Sequence, residues 1–318
     1  MANYKDIKGT TVQVQSGTQP TTYPQAAGEL YYNSSNGDYE FLGPGAGAWS
    51  SGGSLNTNRR YASGLGSVTA GLVFGGANPG TIDNTESYNG TAWTEENDLN
   101  AGQVAMASAG TSTSGMSALG ATSPNTRVED WNGTSWSSNP HSLNAGRQFP
   151  GGDGPSNDSA LMVGGEPSPN GALTEIYDGS SWTEVGDLNT GRNQLAASGT
   201  TTALIAVGGY QKDETELWNG TAWTEVSDLN TGRGGMNSSG SSTAALAFGG
   251  DPVTAKTEEW NGSAWTETND LATARKFGAS SNITGATSAF LASGEEPSIG
   301  TATEEWTISH SVKTVTTS

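Results

Sequence analysis

Thr215-Glu216-Leu217-Trp218-Asn219-Gly220-Thr221-Ala222-Trp223-Thr224-Glu225-Val226 sets two short stretches, each carrying a Trp, on either side of an Asn-Gly pair. Asn and Gly tolerate the left-handed backbone that a tight hairpin requires, so the segment predicts a hairpin of strands 215–218 and 223–226. Upstream, 202–207 is apolar at nearly every position, as a strand covered on both faces requires. Before it, 192–199 reads as a strand of small residues, suited to a crowded axis. Four short strands therefore fall within one repeat of about 42 residues.

The same unit recurs along the sequence. Asn-Gly-x-x-Trp returns as Asn89 to Trp93, Asn132 to Trp136 and Asn261 to Trp265, with Asp178 to Trp182 as a variant; an upstream copy ends at Trp49 without the Asn. Successive Trp residues stand 41 to 46 positions apart. Leu-Asn-x-x-Arg follows in phase at Leu55/Arg59, Leu143/Arg147, Leu188/Arg192 and Leu229/Arg233. Leu271/Arg275 carries Ala272 in place of Asn, and Leu99 is followed by Gln103 in place of Arg. A Gly pair closes each apolar run at 75–76, 164–165, 208–209 and 249–250, degraded to Gly120-Ala121 and Ser293-Gly294 in two copies. A Glu stands two residues before an aromatic at Glu86, Glu129, Glu175, Glu216, Glu258 and Glu304.

Repeats of this length with four strands each predict an all-β chain folded as a six-bladed β-propeller. Trp49 has no first or second strand before it, and the copy starting at Arg275 has no Asn-Gly-x-x-Trp after it. One blade is therefore split between the ends: the strand at Trp49 pairs with Glu304–Trp306 and leaves no open edge. The β-branched 311–317 segment is the alternative closing strand. The expected organisation is an N-terminal anchor or hairpin over 1–48, the propeller over 49–309, and a tail over 310–318.

The double Gly, the third-strand aromatic and the fourth-strand Trp, six times in phase over 49–306, resemble the kelch repeat. That resemblance implies a propeller with a binding surface and no single activity. Segment 28–41, Gly-Glu-Leu-Tyr-Tyr-Asn followed by a polar turn and a second aromatic stretch, resembles segments of bacteriophage tail, fibre and other virion proteins. The repeat combination also resembles kelch-type virion proteins, whether tail, fibre or decoration, of marine tailed phages. On that resemblance Tyr31, Tyr32, Tyr39 and Phe41 become anchor residues against other virion subunits. A homo-oligomer is compatible with it.

Composition narrows the function classes. The chain has 318 residues, with 46 Gly and only 32% hydrophobic residues, yet ten Trp, which a chain that never packs does not carry. Thirteen basic against 32 acidic residues give a net charge of −19, which repels nucleic acid and anionic membranes. Cys is absent, so thiol catalysis and Cys-based metal sites are excluded. No apolar run is long enough for a signal peptide or a membrane span.

Catalysis finds little support. Galactose oxidase resembles the kelch propeller, but its copper site requires a Cys-modified Tyr and His ligands, and this chain offers only His141 and His310. Sialidases are also six-bladed, and Asp178-Gly179-Ser180-Ser181-Trp182 resembles their Asp-box, which is a turn and not a site. Glycoside hydrolysis uses two carboxylates set apart by environment, whereas the Glu residues here repeat once per blade. The expectation is no enzyme, no cofactor and no metal.

Arg59, Arg147, Arg192, Arg233 and Arg275 share one repeat position. They form either a cationic funnel near the axis for an anionic ligand or internal pairs with the in-phase Glu; five Arg matched to six Glu favour the pairs, with Gln103 opposite Glu129 breaking the scheme in the second copy. The loops after the Gly pairs vary most, and there Tyr210 and Lys212 stand out as an aromatic and a cation suited to a sugar. The expectation is a non-enzymatic phage virion protein, made in the host cytoplasm, that displays the propeller for host-surface glycan adhesion or as a tail or capsid accessory. The rivals are a kelch protein-interaction scaffold and a sialidase-like carbohydrate-active enzyme.

Overall fold

The repeat folds as its turn chemistry dictates. Around Asn219 the strands Lys212–Trp218 and Trp223–Glu225 pair with Trp218 opposite Trp223. Asn219 Oδ1 accepts from the Thr221 and Ala222 N–H groups, and Gly220 takes φ 93°, a conformation that glycine adopts without strain. In the variant copy the Asp178 carboxylate accepts from the Ser180 hydroxyl and from the Ser180 and Ser181 N–H groups, which lowers its pKa to about 2.

The computed structural model describes residues 13–15, 30–33, 38–167, 170–282, 286–296 and 298–314. Contacts divide the chain into two units, Ala48–Thr307 and Met1–Gly47 with Ile308–Ser318. The larger unit is a β-propeller of six blades, each of four antiparallel strands. Its first five blades are consecutive in the chain and start, from the inside, at Ser63–Ser67, Ala107–Thr111, Gly151–Ser156, Ala196–Thr200 and Asn237–Ser241. The sixth is composite: Ala279–Ser280, Ser288–Ala292 and Thr303–Thr314 from the C-terminal end, completed by Asp38–Ser51. Trp49 packs edge-on to Phe248 at 4.9 Å and lies 5.6 Å from Trp306, and the Gly52 N–H donates to the Thr303 carbonyl at 2.9 Å. Closure thus runs through Trp49 rather than through 311–317, whose described residues continue the third strand.

Second strands such as Leu72, Val73 and Phe74, or Leu204 to Val207, are fully buried because each blade is covered on both sides. Innermost strands carry Gly, Ala and Ser because the axis leaves no room. A Cβ on Gly64 would lie 2.7 Å from the Ser280 carbonyl oxygen of the sixth blade. The innermost strand of the fourth blade begins at Ala196, four residues later than the sequence suggests, because Arg192 to Leu195 form the loop at the mouth of the axis.

Two closed rings of main-chain hydrogen bonds join the blades. The second residue of each Gly pair donates to the carbonyl at the next blade's Arg position, in sequence Gly76 to Gln103, Gly120 to Arg147, Gly165 to Arg192, Gly209 to Arg233, Gly250 to Arg275 and Gly294 to Arg59. This phase corrects the second-blade copy of the pair, which is Leu119-Gly120 and not Gly120-Ala121; Leu119 and Ser293 take φ 65° and 58° where the intact copies have Gly. Nearer the axis, Tyr61, Ala105, Phe149, Gln194, Gly235 and Phe277 each donate to the carbonyl of the residue before it in the ring, at 2.8 to 3.0 Å, and Tyr61 receives its partner from Phe277.

In the smaller unit, Gln13–Gln15 runs parallel to Leu30–Asn33, which forms a hairpin with the strand from Asp38: Tyr32 pairs with Tyr39 and Leu30 with Phe41. The side chains of Tyr31, Tyr32 and Phe41 lie outside the described residues, and Tyr39 is half-buried.

Candidate functional site

The repeated charges are consumed inside the blades. Before each blade the loop carrying Leu-Asn-x-x-Arg passes over its third and fourth strands, and the in-phase Glu is clamped there. Asn56 donates to Glu86 Oε2 from its main chain at 2.7 Å and its side chain at 2.9 Å, while Arg59 pairs with Oε1 at 2.5 Å. Arg147 repeats this with Glu175 at 2.8 Å and Arg192 with Glu216 at 2.5 Å; Arg233 pairs with Glu258 and Arg275 with Glu304. All five arginines are buried, and they also reach main-chain carbonyls at the ends of the second strands. Burial pulls the Arg59 and Arg147 pKa values below their ordinary range, opposed by the partner Glu. Of the two arrangements the sequence offers for these five positions, the structure holds the internal pairs. The guanidinium groups point to the third strands and neutralise carboxylates instead of facing an open axis.

The second blade keeps its clamp by a route that the repeat pattern hides. Glu129 accepts from the Asn100 main chain and side chain, and Arg127, two residues earlier and just ahead of the third strand Val128–Trp131, lies 3.5 Å from its Oε1. With its amide oxygen turned to Arg127, Gln103 accepts from that guanidinium at 2.7 and 2.9 Å. The cation has moved in sequence while the charge pairing stays in place. In the sixth blade Ala272 supplies only its main-chain N–H to Glu304.

The mouth of the axis, on the face that carries the variable loops, is a different environment. Its six ring residues share φ of 55 to 58°, and three are aromatic. Tyr61 lies 4.5 Å from Phe277 and 5.6 Å from Phe149, and Phe149 lies 6.3 Å from Phe277. These half-buried rings form a platform over an axial cavity of about 130 Å³, walled by Met106, Leu195 and Met236 and lined toward its floor by Ser63, Ser108 and Asn282. Arg60 and Lys276 sit 5.0 and 5.3 Å over the Tyr61 and Phe277 rings. Each is neutralised by the blade next to it, Arg60 by Glu295 at 2.7 Å and Lys276 by Asp251 at 2.9 Å. Both contacts raise the pKa of the cation. Glu166 accepts from Gln148 and Asn193, each at 2.8 Å.

Of the expected loop 210–214 only Tyr210 and Gln211 form a turn; Lys212 pairs with Gly209 and opens the strand Lys212–Trp218. Tyr210 is 52% exposed and, with Val253 at 45%, is one of the two exposed large hydrophobic residues among those described. It lines a groove of about 390 Å³ with Gln211, Asp213, Asp251 and Pro252. Lys212 is paired with Glu214 at 2.8 Å. Sequence reading missed the aromatic platform, although its members stand two residues after each Arg position, a phase visible in the repeat. Among the described residues no three His, Asp or Glu side chains gather in a metal-binding cluster.

No family model matches this chain, and no curated protein matches it.

Proposed function

We propose that this chain is a kelch-type, non-enzymatic binding propeller of a tailed-phage virion, joined to other virion subunits through its N-terminal segment and presenting the variable-loop face to a host-surface glycan. One observation carries the reading: residues that repeat are buried in clamps, whereas residues that differ between copies gather on one face. That face holds the aromatic platform and exposed Tyr210. The carboxylates at the mouth, Glu166, Asp251 and Glu295, each have a hydrogen-bonding partner, which supports binding over acid–base hydrolysis. The hairpin at Leu30–Phe41 supports an anchoring role for the smaller unit.

Exposed Val253, next in the chain to groove-lining Pro252, favours a protein partner as the second reading, that of an interaction scaffold. Two measurements decide between them. Mass spectrometry of purified phage particles is expected to find the chain, and labelled protein is expected to bind host cells in a periodate-sensitive manner. A gene flanked by cellular regulators, with binding insensitive to periodate, favours the scaffold.

A further inference from the structure

Three polar atoms at the mouth are buried without a partner: Asn193 Oδ1, Gln194 Oε1 and Arg60 Nε. The Asn193 orientation is fixed, because its amide nitrogen donates to Glu166 at 2.8 Å, so its oxygen is left as an acceptor. Buried polar groups without partners cost stability, and folded proteins keep few of them. These sit beside Phe149 and Tyr61, whose rings offer apolar faces. Asn193 also lines a groove of about 520 Å³ with Gln148, Glu166 and Pro167. Because Gln148 and Asn193 precede Phe149 and Gln194 in the chain, the groove and the platform adjoin.

A ligand that completes this site presents a flat C–H face to an aromatic ring and O–H donors at its edge. A pyranose does both. The rim cations are already neutralised and the chain carries a net charge of −19, so an anionic sugar is disfavoured. We infer that the axial mouth is a saccharide subsite, in which a neutral hexopyranose stacks on the Phe149 platform and donates hydroxyl hydrogen bonds to Asn193 and Gln194. This subsite rests on the glycan-binding reading above and gives it a place and a ligand class.

Ala105 holds the Phe149 position in the second blade with the same backbone conformation, so Phe149→Ala copies a side chain that the ring already accommodates. The test is saturation-transfer NMR on the full chain with methyl glycosides of mannose, glucose and galactose, and with N-acetylneuraminic acid as the anionic arm. At least one neutral glycoside is expected to receive saturation and the anionic sugar none. Phe149→Ala and Gln194→Ala are each expected to weaken binding about tenfold, the factor that corresponds to one lost stacking or hydrogen-bonding contact. Thr224→Ala, an exposed position on the outermost strand of the fourth blade, is expected to leave binding unchanged. Undiminished binding by folded Phe149→Ala overturns the subsite while leaving glycan adhesion standing, as does loss of binding in Tyr210→Ala alone. No saturation of any neutral glycoside also overturns it, and the periodate-sensitive cell binding then judges the adhesion reading separately.

Discussion

At the residue scale, one hydrogen bond per blade ties each repeat to its neighbour. The fourth-strand Trp donates from its indole nitrogen to the Thr that precedes the clamped Glu on the third strand of the preceding blade: Trp136 to Thr85, Trp223 to Thr174, Trp265 to Thr215, Trp93 to Thr303 and, across the closure, Trp49 to Thr257, all at 2.9 to 3.0 Å. The second blade has Val128 at this position, and Trp182 turns instead to the His141 carbonyl at 3.2 Å. Thr215→Val is therefore expected to cost about 1–3 kcal/mol by leaving the buried Trp265 donor unpaired, read as a shift in the urea unfolding midpoint. The clamp contributes more. Arg192→Ala leaves Glu216 buried with three neutral donors, and the expected loss is about 3–5 kcal/mol, with cell binding unchanged in the fraction that folds. Arg127→Ala is expected to cost less, because that side chain is 17% exposed and its ion pair is longer. Equal losses for the two variants contradict this account of burial.

At the scale of strands, what the sequence shows and what it hides separate cleanly. Hairpins were legible because Asn-Gly turns and paired Trp residues act locally. The composite blade was legible from an unmatched Trp49 and a last repeat without its fourth strand. The Arg–Glu pairs followed from matched phase, but Arg127 did not, because the cation left its repeat position and only the fold brings it back beside Glu129. The platform was hidden for a related reason: Tyr61, Phe149 and Phe277 are more than forty residues apart and meet only at the axis. Their left-handed backbone is imposed by the hydrogen-bonded ring, against the preference of non-glycine residues. Innermost strands obey steric limits that can be tested directly. Gly64→Ala sets a methyl group against the Ser280 main chain, 2.7 Å from its oxygen and 2.9 Å from its nitrogen, and is expected to destabilise by about 1–3 kcal/mol. Gly80→Ala, with nothing within 4 Å, is expected to be neutral or slightly stabilising through the unfolded chain. Thermal melts of the two variants check the contrast; a Gly64→Ala melt like the parent's rejects the packed axis.

At the scale of the whole ring, the end of the axis away from the mouth is held by one polar pair that reaches every blade. Asn282 of the sixth blade donates to Asp153 Oδ1 of the third at 2.8 Å and to the Gly110 carbonyl of the second at 3.3 Å. Its side-chain oxygen accepts from Gly66 of the first blade at 3.0 Å, and its main-chain carbonyl accepts from Gly240 of the fifth at 3.5 Å. Asp153 Oδ2 accepts from Gly199 of the fourth at 2.7 Å. Asp153 is fully buried, and desolvation raises its pKa from 3.8 to about 7 even though the Gly199 and Gly154 N–H groups and the Asn282 amide favour the charged form. A carboxyl that holds its proton more tightly when folded stabilises the fold fully below its unfolded pKa. That contribution shrinks as pH rises toward the folded value, because the native state alone keeps the proton across this interval. Between pH 4 and 7 Asp153 is therefore expected to remove stability at up to about 1.4 kcal/mol per pH unit, and to add no further slope above pH 7. Other carboxylates titrate in the same range, so the quantity to measure is the difference between the parent and Asp153→Asn in urea unfolding at several pH values. The variant gives up one accepted hydrogen bond at every pH but has no proton to lose. Its stability deficit should therefore be largest at pH 4 and narrow steadily toward pH 7. A deficit constant across that range would mean that Asp153 is ionised throughout, held by its three donors against the burial that opposes its charge.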